Sequence, residues 1–170
     1  MIIGHVDLSV CKKIIVKTSK TLVIDNNKAT ISLYENNEKL WESSFKEIKG
    51  VCFLQYCLTS SNNLLLVDEV GTQIFRIYLE DGNIKSLFQL NRKENDDDDF
   101  YRNEFIIGSG YCLFVYEGGL VKFDVNCNVL WSIEHQYYDW FFKEVKDNLI
   151  YYESEYDGVW RYSLITGEKV

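Results

Sequence analysis

GGLVKFDVNCNVLW, residues 118–131, sets apolar residues at every second position, passes through a short polar turn, and ends in a second strand-like run at Trp131. Period-two alternation marks a strand with one buried face, and a turn former between two such runs predicts a hairpin. The same pattern recurs along the chain. The apolar residue ahead of each turn gives four anchors, Leu33, Ile77, Phe123 and Tyr162, at intervals of about 39 to 46 residues, the repeat length of a four-stranded unit. Two positions before them stand Ile31, Phe75, Val121 and Trp160, and the bends follow at Asn37–Glu38, Asp81–Gly82, Cys127–Asn128 and Thr166–Gly167.

Upstream of each anchor lies an apolar block rich in strand formers: TLVID (21–25), LLLVD (64–68), CLFVY (112–116) and LIYYE (149–153). One more block precedes each of these: KKIIVK (12–17), VCFLQYC (51–57), EFIIGS (104–109) and WFFKEV (140–145). A fourth strand follows the bend, with Trp41, Lys85 and Trp131 at equivalent places in the first three repeats. The expected fold class is therefore all-β: a small β-propeller of four four-stranded antiparallel blades, in one domain spanning 1–170. The repeats cover about 11–46, 50–91, 103–135 and 138–170. The register leaves the fourth repeat without its outer strand. Residues 1–10, with Val6, Leu8 and Val10 alternating against His5, Asp7 and Ser9, are expected to supply it and close the ring. A monomer is favoured, and an open half-ring that pairs with a second copy is the competing arrangement.

GLVKFDVNCNVLW and GVWRYSLITGEKV (158–170) resemble the quinoprotein-type (PQQ-like) propeller repeat. In that repeat a glycine precedes an apolar-x-apolar strand, a short turn often holds Thr-Gly, and the outer strand carries a tryptophan. Repeat 2 has Lys85 at the tryptophan position and repeat 1 has Asn-Asn in place of Thr-Gly. The resemblance implies a fold; it places no cofactor-binding residue on this chain, and no cofactor is expected.

The chain has 170 residues, 46% hydrophobic and 15% aromatic, a composition that excludes disorder and suffices for a core without disulfides or metal. A formal charge of -8 and a pI near 4.8 would repel phosphate backbones and anionic lipid, so the expected partner is a basic protein and neither nucleic acid nor membrane. MIIGHVDLSV lacks the cationic start and apolar stretch of a leader, and the expected location is cytoplasmic. The five cysteines read as buried free thiols of a reducing compartment. Cys52 and Cys57, at an odd offset on one strand, point to opposite faces and make a poor metal pair.

Two histidines, His5 and His135, leave little material for acid–base chemistry, and no phosphate loop or nucleophile elbow is present. Glu134 and His135 are adjacent on a strand and point apart. The expectation is a non-enzymatic protein-binding module. Its candidate contact residues are Asp96, Asp97, Asp98 and Asp99 in the acidic run KENDDDDFYRNE, with Tyr137, Tyr138, Asp139, Tyr156 and Asp157 at strand ends or loops. The run lacks the spacing and glycine of a calcium loop. Phe141, Trp160 and Tyr162 are expected in the core. One concrete form is a cytoplasmic immunity or inhibitor protein that neutralises a basic toxin or enzyme. A carbohydrate-binding or hydrolytic propeller, and a scaffold half-propeller that dimerises, are the alternatives.

Overall fold

The computed structural model describes residues 1–7, 12–17, 19–25, 27–45, 53–68, 72–91, 103–116, 118–134, 140–154, 156 and 158–170. It holds sixteen strands: β1 (Ile2–Asp7), β2 (Lys12–Lys17), β3 (Lys20–Asp25), β4 (Thr30–Glu35), β5 (Glu38–Ser44), β6 (Phe53–Leu58), β7 (Asn63–Asp68), β8 (Gln73–Tyr78), β9 (Ile84–Gln89), β10 (Asn103–Gly108), β11 (Tyr111–Tyr116), β12 (Gly119–Asp124), β13 (Val129–Glu134), β14 (Trp140–Lys146), β15 (Leu149–Ser154) and β16 (Gly158–Ser163). They pair antiparallel in four sheets, ordered β2-β3-β4-β5, β1-β6-β7-β8-β9, β10-β11-β12-β13 and β14-β15-β16. No helix occurs among the described residues, and so none long and apolar enough to cross a membrane. The chain divides into two compact units, Met1–Leu90 with Val125–Cys127, and Asn91–Asp124 with Asn128–Val170.

In the first unit, alternation along β3 turns Leu22 and Ile24 to one face, where they meet Ile31 and Leu33 of β4 and the side chains Leu64, Leu66, Phe75 and Ile77 of the neighbouring sheet. Each such side chain contributes about 1.5 to 3 kcal/mol when fully withdrawn from water. The run Leu64–Val67 is buried at every position, so both faces of β7 are covered, as its unbroken apolar sequence implies. In the second unit Leu113, Val115 and Leu120 pack with Ile150, Tyr152, Tyr162 and Leu164. All four anchors, Leu33, Ile77, Phe123 and Tyr162, are buried.

The bends follow turn chemistry. Asn36 and Asn37 both take left-handed φ, 50° and 70°, as a two-residue hairpin turn demands. Gly82 and Gly167 take φ of 74° and 76° in longer loops, each under a tryptophan of the preceding sheet in its own unit. Trp41 Nε1 donates to Leu79 O at 3.1 Å and Ser43 Oγ to Gly82 O at 2.6 Å; Trp131 Nε1 donates to Leu164 O at 3.3 Å. The tryptophan that marks an outer strand in the sequence is thus the side chain that seats the next sheet's loop. In repeat 3 the left-handed position is Cys127, φ 63°, where its loop is shorter.

One expectation is corrected. The N-terminal strand does not complete the last sheet, which keeps three strands; β1 pairs with β6, with Ile3 opposite Cys57 and His5 opposite Gln55. Two local features account for this. Gly4 sits opposite Tyr56, whose ring lies so close that a Cβ on Gly4 would meet Oη at 2.5 Å, so this strand fits this edge. Beside β16 the place is bordered by the chain's own last residues, through a Tyr162–Lys169 bridge and a bond from Val170 N–H to Arg161 O at 2.9 Å.

Candidate functional site

Of the residues proposed for partner contact, Asp96, Asp97, Asp98, Asp99, Tyr137, Tyr138, Asp139 and Asp157 lie outside the described residues, as do Cys11, Cys52 and His135. Tyr156 is described. It occupies the β15–β16 turn with its side chain 81% exposed, while its backbone N–H donates to Ser154 Oγ at 3.2 Å. The turn is therefore held and the phenol offered to solvent. Next to it on β16, Val159 is 61% exposed, and on the same sheet's last loop Ile165 and Val170 are exposed as well.

The core expectation for this sheet holds for Tyr162, is met in part by Trp160 and is not met by Phe141, which is absent from the described core cluster. Trp160 is half-buried against the second unit's core, with Lys169 Nζ 3.0 Å from its ring centre. Phe141 is half-buried on the face that also carries Glu153, its cross-strand partner. Period two puts Phe141 and Phe142 on opposite faces, and it is Phe142 that meets Tyr152 edge-on at 5.9 Å. Lys143 in the β14 bulge forms an ion pair with Glu153. Cys57, Cys112 and Cys127 are buried, as expected of them.

Lys122, on β12 of the second unit, is held from several sides. Its ammonium donates to Leu164 O at 2.7 Å and stands 4.9 Å from the Tyr111 ring centre and 5.7 Å from that of Trp131. Burial lowers its pKa from the ordinary lysine value. Its bond shares an acceptor with the Trp131 indole, so it braces the tryptophan seat.

The first unit contains a cavity of about 390 Å3 at the turn end of its two sheets, which sequence reasoning missed. Its wall is built from the β6–β7 turn. Asn62 takes left-handed φ, 59°, and its carbonyl accepts from Leu79 N–H at 3.2 Å, tying that turn to the β8–β9 loop. Buried Asn63 donates through Nδ2 to Ser61 Oγ at 2.9 Å and accepts at Oδ1 from Arg76 Nε at 3.3 Å. Ser61 Oγ in turn donates to Val125 O, a residue of the same unit. Arg76 lies over the Tyr78 ring at 4.1 Å, and Lys20 lines the same cavity, 3.8 Å from Glu35. These residues come from β3, β7, β8 and the turns β6–β7, β8–β9 and β12–β13, and no pattern of spacing in the sequence joins them.

No protein-family model matches the chain and no curated protein does. Solved structures do. The extracellular domain of the one-component system BT4673 from B. thetaiotaomicron aligns over 91% of this chain with a TM-score of 0.56 and 11% identity, covering 22% of its own length. Virginiamycin B lyase from Staphylococcus aureus aligns over 99% with a TM-score of 0.52 and 16% identity, covering 58% of its length. A catalytically inactive variant of that lyase with quinupristin gives 0.50 and 15%, over 97% of this chain and 61% of its own. The fold is of the β-propeller type. The chain spans between 22% and 61% of the length of these structures, and the likeness is one of fold alone, common to an enzyme and to a domain described only by its location. It does not single out the quinoprotein-type repeat among propeller repeats.

Proposed function

We propose that the chain is a non-enzymatic, protein-binding module of propeller type that engages a basic partner as a monomer in the cytoplasm. The observation that carries this reading is Tyr156, held by its backbone and 81% exposed beside Val159, in a chain of formal charge -8. An exposed aromatic on a turn whose backbone is hydrogen-bonded, next to exposed apolar surface, is the composition of an interface anchor, and a net negative field speeds encounter with a cationic surface. The acidic run with Asp96 to Asp99 adds to that field. In its concrete form the module is an immunity or inhibitor protein whose carboxylates occupy a site built for phosphate on a basic toxin or enzyme.

The test is affinity capture from host lysate by the immobilised chain, compared with Tyr156→Ala and Val159→Asp. The expected result is retention of one basic protein, weakened about thirtyfold or more by the variants, as loss of an anchor costs about 2 kcal/mol or more, and weakened by added salt. Retention indifferent to both substitutions and to salt would refute the reading.

A further inference from the structure

We propose that the cavity beside Arg76 is a binding site for a small polar monocarboxylate. Arg76 is restrained from two sides, by the Nε bond to Asn63 Oδ1 and by the Tyr78 ring beneath it. With Nε engaged, the two Nη groups of the guanidinium are left as a planar pair of donors, the geometry that meets a carboxylate end-on. Among the described residues no carboxylate of the chain lies within ion-pair distance of it.

A second observation is independent of the cavity. Across the β8–β9 pairing Arg76 stands directly opposite Lys85, and Tyr78 lies under both cations, at 4.1 Å and 5.7 Å from its ring centre. Like charges directly opposite each other destabilise a sheet. An anion at Arg76 would relieve that repulsion.

The walls narrow the ligand class. Arg76 has no carboxylate partner among the described residues, while Lys20 stands 3.8 Å from Glu35 and Glu80 also lines the cavity, so the surroundings suit a single negative charge better than a polyanion such as phosphate. The Ser61–Asn63 turn and Asn126 give the opposite wall amide and hydroxyl character, suited to a ligand that also carries hydroxyl groups.

The probe is sodium gluconate, with inorganic phosphate as its comparison, titrated into the full chain at constant ionic strength. The readout is the Arg76 Nε–H and Asn63 Nδ2–H resonances in 1H–15N spectra. Gluconate is expected to shift both saturably, with Kd of about 1 mM or below. Arg76→Gln should weaken binding about tenfold or more, as expected for removal of a charge-assisted contact. Lys20→Gln, at a partly exposed position, serves as the second variant and should weaken it about threefold while leaving the fold intact. Absence of a saturable shift up to about 50 mM, equal affinity in Lys20→Gln and wild type, or tighter binding of phosphate than of gluconate would each overturn the proposal.

Discussion

Replacing Gly82 with alanine tests the seat of Trp41 against its physical cause. Two terms oppose the new methyl group. The first is conformational: φ is 74°, and an L-residue in the left-handed region costs about 1 to 2 kcal/mol. The second is steric: the Cβ would stand 2.6 Å from Trp41 Cε3 and 2.7 Å from Ser43 Oγ, the two side chains whose hydrogen bonds hold the loop. Overpacking of that kind costs about 1 to 3 kcal/mol. Together they predict a loss of about 2 to 5 kcal/mol. Gly110 provides the control, because its φ is 79° and nothing lies within 4 Å of its added Cβ. Gly110→Ala should show the conformational term alone, and the entropy that alanine removes from the unfolded chain is common to both variants. Urea unfolding followed by far-UV circular dichroism measures the difference. Equal midpoints for the two variants would refute the claim that the tryptophan is seated on the glycine.

Other expectations follow from the same packing. Trp131→Phe keeps an aromatic ring but removes half of the indole and its Nε1 bond to Leu164 O, and should lower stability by about 0.5 to 1.5 kcal/mol for the bond alone and more with the lost packing, in the same denaturation assay. Leu66→Ala, in a core buried on both sides of its strand, should cost about 2 to 5 kcal/mol. Burial raises the pKa values of Tyr56, Tyr111 and Tyr162 above 10.0, and raises that of Tyr152 furthest, with help from Tyr162 and Tyr116. Unfolded tyrosines release protons first, so this stability is complete below pH 10 and is lost as pH rises through the folded values. Lys122, with its lowered pKa, acts in the opposite sense over part of that range, and Tm measured from pH 8 to 11 should still fall. At the acid end, Ser32 Oγ and then Lys39 lower the pKa of Glu42 below 4.5. Stability from this group is present above the unfolded pKa and lost as pH falls, so Ser32→Ala should move the Glu42 titration, read by 13C NMR, upward.

The strands were legible because each shows in short-range apolar patterning, alternating or unbroken. KKIIVK is β2 from Lys12 to Lys17, and the unbroken LLLV and CLFV runs, against the alternating TLVID, distinguish strands covered on both faces from those covered on one. The placement of β1 was not legible, since MIIGHVD would suit any open sheet edge, and the choice of β6 rests on the fit of Gly4 under Tyr56. The bends were nearly so: Gly82 and Gly167 fall where expected, but the shorter loop of repeat 3 shifts its left-handed residue to Cys127. Of the contact residues expected from sequence, Tyr156 is seen to be exposed. The Arg76 cavity was invisible because Lys20 of β3, Ser61 of the β6–β7 turn and Arg76 of β8 belong to two separate sheets and line one cavity only once those sheets have packed, and total charge reports nothing of such a local reversal of sign.

The five-stranded sheet β1-β6-β7-β8-β9, and with it the departure from the expected ring closure, stands or falls on where the first strand pairs. Nuclear Overhauser contacts across β1 measure this directly on the labelled full chain. The structure predicts cross-strand contacts between Ile3 and Cys57 and between His5 and Gln55. Contacts from β1 to Val159 or Arg161 of β16 in their place would contradict it and restore the closure expected from sequence.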